Sequence, residues 1–221
     1  MRKLKTALLV ILFSLSFPLC AESLDYIGFS LGFDFSSKST VFSDGIVWES
    51  NSTSVDLSMD MLVYFNSQDS LIRYGSGFSI GCGLPIFYDT VYGTVEGKKP
   101  FAIYGKASFD VAFFINNKAA IESKLGFAIR VDQLDFRSNH AELGLSQPMR
   151  LMNTGIMALL GLSMRYEVNP GIVLRGGTEL MLSMLEHIEL FQGPSIADSY
   201  EGVHKGSRSS IVPYLSILFS Y

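Results

Sequence analysis

The sequence predicts an all-β chain, a single eight-stranded antiparallel up-and-down transmembrane β-barrel. Three observations predict it. The chain is apolar for its length, with mean hydropathy +0.29, 48% hydrophobic residues and only 17% charged ones, whereas ordinary soluble domains carry about a quarter. Past the N-terminus no stretch approaches about eighteen uninterrupted apolar residues, so helices do not carry the chain through a bilayer. Instead, the two-residue period of a β-strand recurs eight times. Seventeen Phe and ten Tyr exclude a disordered chain. A net charge of −4 with no Lys/Arg stripe excludes nucleic acid as a partner.

The first element is an export signal, residues 1–21. Arg2, Lys3 and Lys5 form a basic start, residues 7–15 an apolar run, and Ala21 precedes a cleavage point before Glu22. The run is short for a spanning helix, and Leu19 fits poorly before a lipid-modified Cys20. Cleavage leaves the barrel domain, residues 22–221, with 14 basic and 21 acidic residues. Cys82 is then the single cysteine, so no internal disulfide staples the chain.

Eight alternating runs follow, at 27–35, 55–65, 72–88, 101–115, 121–131, 156–168, 172–184 and 211–221. In each, one parity is apolar. The thirteen charged residues inside the runs all occupy the other parity: Asp34, Asp56, Asp60, Arg73, Lys106, Asp110, Glu122, Lys124, Arg130, Arg165, Glu167, Arg175 and Glu179. Random parity would give this with a chance of about one in 2 to the power 13. Between runs two and three, four and five, and six and seven stand turn formers such as Asn116-Asn117-Lys118 and Asn169-Pro170-Gly171. The other connections, 36–54, 89–100, 132–155 and 185–210, are longer and polar. Short turns at one end and long loops at the other are the asymmetry of outer-membrane barrels, with the turns periplasmic and the loops extracellular.

Alternation alone also fits a soluble barrel with its apolar face inward. Volume decides against it. Eight strands enclose a lumen that side chains just fill, and the Phe, Leu, Ile and Met of the apolar face would overfill it. The opposite face, rich in Gly and Ser, fits. Aromatic residues on the apolar face gather near the run ends: Phe65, Tyr74, Phe113, Tyr166, Phe219 and Tyr221 at the turn end, and Phe33, Phe35, Tyr88 and Phe101 at the loop end. These read as two interfacial belts. The thirteen charges are then expected to point into the lumen and pair there, since unpaired buried charge is costly.

At this point the chain resembles the small outer-membrane barrels of the OmpA transmembrane domain, OmpX and OmpW families, over its whole exported length. The residues that carry the resemblance best are 211–221, alternating apolar residues closing on Phe219 and Tyr221. They are similar to the C-terminal signal read by the barrel-assembly machinery, although Phe is commoner than Tyr at the last position. The resemblance implies residence in the outer membrane, with its lipid and that machinery as partners.

Loop lengths are more similar to OmpW-type barrels. Residues of the lumen parity near the loop end are often apolar, namely Phe87, Met157, Leu159, Met181 and Val212, and form a candidate apolar lumen pocket. The OmpW resemblance implies that such a pocket binds or passes small hydrophobic compounds. The alternative is a structural or adhesion barrel that meets a host or surface ligand through loops 36–54, 132–155 and 185–210. A third reading, a lipid-modifying enzyme, lacks residues to carry it. The His-x-Ser pair of the lipid A deacylases is missing around His140, His187 and His204, and Asp198, Ser199 and His204 are a set that any polar loop offers. No phosphate loop or metal-ligand cluster is present, so the expectation is a non-enzyme without cofactor.

Overall fold

A computed structural model describes residues 25–42, 47–66, 70–90, 93–94, 101–138, 148–192, 199–200 and 203–220. The signal segment, with Ala21 and Glu22, lies outside the described residues, as do Tyr221, His140 and Asp198. Eight long strands make the fold: β1 Tyr26–Phe42, β2 Val47–Tyr64, β3 Ile72–Thr90, β4 Phe101–Phe114, β5 Ala119–Ser138, β6 Pro148–Asn169, β7 Ile172–Gln192 and β8 Val203–Ser220. Each pairs antiparallel with its sequence neighbour. Pairing of β8 with β1, from Tyr26↔Ser220 to Phe42↔Val203, closes the sheet into a barrel. Closure leaves no backbone edge facing lipid, which is what allows strands to cross a bilayer. The two-residue segments Gly93–Thr94 and Ser199–Tyr200 add short pairings to β5 and β7.

The turns form where Asn, Pro and Gly stand. The Asn116 side chain accepts hydrogen bonds from the backbone N–H of Lys118 and Ala119, both at 2.8 Å. Asn66 accepts from the Tyr74 N–H at 3.0 Å and donates to the Ile72 carbonyl at 2.7 Å. Gly171, at φ 88°, takes the left-handed step after Pro170 that closes the β6–β7 turn.

The apolar parity faces out. Phe29, Leu31, Met59, Ile80, Phe109, Leu125, Leu160 and Leu215 are exposed on the outer wall. Of the thirteen charges within the alternating runs, twelve are buried in the lumen, and Glu167 is half-buried at the turn-end rim. The turn-end belt of Phe65, Tyr74, Phe113, Tyr166 and Phe219 and the loop-end aromatics Phe33, Phe35 and Phe101 all face outward into the surroundings.

Two expectations are corrected. The connections expected as long loops are largely strand: β1 runs to Phe42, β6 starts at Pro148 and β7 ends at Gln192. About 9–11 residues of tilted strand cross a membrane. β6, with 22 residues, and β7, with 21, therefore stand well above it. There the outer face is bathed by water, so the backbone ladder continues without the apolar alternation that marks strands in lipid.

The second correction concerns Phe87, which is 58% exposed on the outer wall and does not line the lumen. A β-bulge is responsible. Thr53 pairs with Phe87 but Ser54 with Pro85, so Ile86 is an extra residue and the parity of β3 flips beyond it. Pro85 has no N–H to give the ladder and suits this break.

Candidate functional site

The lumen is filled in tiers, each supplied by the inward parity of several strands. At the turn end Leu62, Tyr64, Ala112 and Ala120 form a buried cluster with Tyr26 and Phe114 against it. Arg73 lies 4.0 Å over the Tyr64 ring and Arg165 4.5 Å over Tyr26, contacts that attract a guanidinium to a ring face. The Tyr64 hydroxyl donates to Glu122 at 3.0 Å and accepts from Arg165 at 3.1 Å. Asp25, just ahead of β1, pairs with Arg73 at 3.5 Å.

The middle tier holds the densest charge. Arg175 joins Asp60 at 3.0 Å to Glu122 at 3.8 Å. Glu179 takes Lys106 at 2.7 Å and Lys124 at 3.0 Å, one lysine on each oxygen. Asp110 accepts from Ser108 at 2.5 Å. Small residues make the room. A Cβ on Gly81 would stand 2.5 Å from the Tyr104 ring and 2.5 Å from the Leu57 carbonyl. The ring is therefore seated on the glycine, and Gly81→Ala should cost about 1–3 kcal/mol as overpacking, read as a lower urea midpoint of the refolded barrel.

Toward the loop end, Arg130 bridges Asp34 at 2.6 Å, Asp132 at 2.8 Å and Asp56 at 3.4 Å. Arg208 binds Asp34 at 3.1 Å and also Asp132. Beside this tier, Met157, Leu159, Met181 and Val212 are each at most 2% exposed and pack with Ala128 into one apolar cluster. These four candidate pocket residues come together without Phe87, and they fill space instead of lining a hollow. A hollow retained beside Ser30, Asp60, Ser79, Lys106 and Glu179 measures about 10 Å³, near the minimum that holds one water. Larger hollows lie outside, such as one of about 210 Å³ over Gly105 and Ala107, between Ile103 and Phe127.

Sequence reasoning missed Arg208, Asp132, Lys38 and Asp25 as lumen or rim charges. All four fall outside the alternating runs. Asp132 lies above the crossing segment; burial pushes its carboxyl up, and Arg208, Arg130 and Lys38 hold it below its usual range. His187 is exposed on β7, and the side chain of His204 lies outside the described residues. Among the described residues no group of three or more His, Cys, Asp and Glu is placed to hold a metal ion.

A closed barrel with an apolar outer wall, two aromatic belts and a filled polar lumen defines an integral outer-membrane β-barrel protein, and the solved structures it resembles are of that class. The outer membrane protein OprG of Pseudomonas aeruginosa superposes with a TM-score of 0.57 at 11% identity, over 91% of this chain and 97% of that one. Ail, the attachment invasion locus protein of Yersinia pestis, gives 0.42 at 15% identity over 89% and 100%. Neisserial surface protein A gives 0.41 at 11% identity over 86% and 96%. The OprG match carries the fold, and the apolar outer wall and aromatic belts of that closed barrel are those of a barrel set in outer-membrane lipid. No family model matches the sequence, and no curated protein sequence matches it.

Proposed function

We propose that this barrel is a sealed membrane anchor that works at the cell surface, through the extracellular ends of its strands and their connections. One observation supports this above the others: the lumen is occupied by paired side chains and the Ala128–Met157–Leu159–Met181–Val212 cluster, where a conduit would need a continuous hollow. The strands then rise past the membrane, and the surplus of about ten residues on β6 and β7 spans roughly 25 Å. That is the reach expected of a protein that presents surface to a partner. Most of the buried charges are paired with one another, and the reading is of a binding protein, not an enzyme. Export by residues 1–21 and recognition of Phe219 and Tyr221 by the assembly machinery belong to the same reading.

Planar-bilayer recording tests it. The refolded full chain should give no stepwise conductance in concentrated salt, and liposomes carrying it should take up a small hydrophobic dye no faster than empty ones. Stable single-channel steps, or accelerated uptake that disappears in Met157→Trp, would restore the passage reading.

A further inference from the structure

On the outer face of β4 two small residues, Gly105 and Ala107, stand in succession between the large Ile103 and Phe109. Both neighbouring strands are bulky there. Ala107 pairs with Phe78 on β3 and Phe127 on β5, and Gly105 with Ile80 and Ile129. The outcome is a trough of about 210 Å³ with Gly105 and Ala107 as its floor. The side chains that face it are hydrocarbon throughout, since Tyr104 and Lys106 of the floor strand turn theirs into the lumen.

Nothing within the barrel asks for a glycine at position 105. The inward glycines make room for lumen side chains: a Cβ on Gly77 would stand 2.7 Å from the Ser108 hydroxyl, and one on Gly83 2.7 Å from Asp56. A Cβ on Gly105 would meet nothing nearer than the Ser79 carbonyl, at 4.0 Å. Its backbone does not require glycine either, because among the described residues only Gly171 has a positive φ. Glycine weakens a strand interior, and where it stands there it often marks the close approach of a ligand. The space that Gly105 leaves empty lies outside, toward lipid.

Depth and width narrow the choice of occupant. Gly105 is four residues from the loop-end belt residue Phe101 and eight from the turn-end belt residue Phe113. Along the membrane normal these are roughly 10 Å and 20 Å, which puts the trough in the outer half of the hydrocarbon. Its walls, β3 and β5, are two strand spacings apart, about 10 Å. Once their side chains are in place, the width left suits one hydrocarbon chain. A second barrel is convex at every point and would reach the floor with a single side chain at most.

We propose that this trough holds one acyl chain of an outer-leaflet lipid, which stays with the barrel while the surrounding lipid exchanges. The chain touches protein on three sides, at Phe78 and Ile80, at Phe127 and Ile129, and at the floor. It thereby gains dispersion contacts that a chain against the convex wall lacks. No polar side chain faces the trough, so recognition is of the chain and not of the headgroup. The site needs a wall that faces lipid and does not depend on a sealed lumen, so conductance in the bilayer experiment would leave it standing.

Native mass spectrometry of the full chain, refolded in phosphatidylcholine vesicles and released in mild detergent, tests the site. The monomer should carry one phospholipid as its main lipid-bound species. Gly105→Leu sends its new side chain into the trough, away from the barrel interior, and should lower the retained lipid about fivefold or more. Thr178→Leu, which adds bulk at an exposed position of the outer wall on β7, should leave it unchanged. Phosphatidylglycerol with the same chains should be retained equally. If Gly105→Leu does not refold, Ala107→Leu carries the test with the same expectation. Absence of a retained lipid overturns the site, as does retention that survives filling of the trough or falls equally in Thr178→Leu. Retention that follows the headgroup, or a dimer that the substitution splits, overturns it too.

Discussion

Glu179→Leu is expected to destabilise the barrel by about 3–5 kcal/mol. Glu179 is the carboxylate that both Lys106 and Lys124 reach, at 2.7 and 3.0 Å, with all three side chains at most 10% exposed. Removing it leaves two buried ammonium groups facing the rings of Tyr104 and Tyr214, at 4.8 and 4.7 Å. Cation–π attraction of about 2 kcal/mol at best does not replace an ion pair out of water. The asymmetry is the informative part. Deleting a charge-neutral pair costs far less than orphaning one partner, so Lys106→Met/Glu179→Gln, which keeps an amide oxygen for Lys124, should lie closer to the parent than Glu179→Leu does. Urea unfolding in vesicles, followed by the gel mobility of unboiled samples, reads both. A Glu179→Leu barrel within about 1 kcal/mol of the parent would mean that water hydrates the lysines and that the lumen is not sealed.

Which carboxylate meets which base was not legible in the sequence, although the existence of the network was. Parity places Glu179 and Lys106 on the inner face of strands β7 and β4, which are not neighbours; their meeting depends on the reach of both side chains across the lumen. Parity was legible because lipid enforces it. A charge turned outward in the crossing segment costs several kcal/mol, so each of the thirteen charges obeys the rule. Above the membrane that penalty vanishes. Residues 36–40 and 49–54 are polar on both faces yet stay in the ladder, and they read as loop because hydrophobicity had stopped reporting strand.

The bulges were hidden for a different reason. One extra residue inverts every later side chain, and strict alternation carried past Pro85 therefore put Phe87 on the wrong face. Local sequence did not mark them: Ile86-Phe87 and, at a like bulge in β7, Met184-Leu185 are adjacent apolar pairs. But so are Phe113-Phe114, Leu159-Leu160 and Ile211-Val212, through which the register runs without a slip. Arg208 escaped because it belongs to the upper, polar part of β8, where its pairing with Asp34 and Asp132 has no counterpart in local pattern.

The same height dependence sets the second large effect. Leu160 is 48% exposed on the outer wall, in register with Leu125 and Leu180. It stands six residues along β6 from the belt residue Tyr166, roughly 15 Å along the membrane normal, which is mid-bilayer. Leu160→Arg should therefore cost about 2–4 kcal/mol. The same charge at Phe87, on the outer wall at the loop-end interface, should cost about 0–1 kcal/mol from the charge itself. At Ser37, exposed on β1 beyond Phe35, it should cost close to nothing, because water already reaches that height. Folding yields into vesicles of the three variants should fall in the order Ser37→Arg, Phe87→Arg, Leu160→Arg. All three residues share one wall and receive one side chain, so depth is the variable that separates them. Equal yields would mean that this wall does not face lipid, and a Ser37→Arg yield below that of Leu160→Arg would place the hydrocarbon around the upper strands.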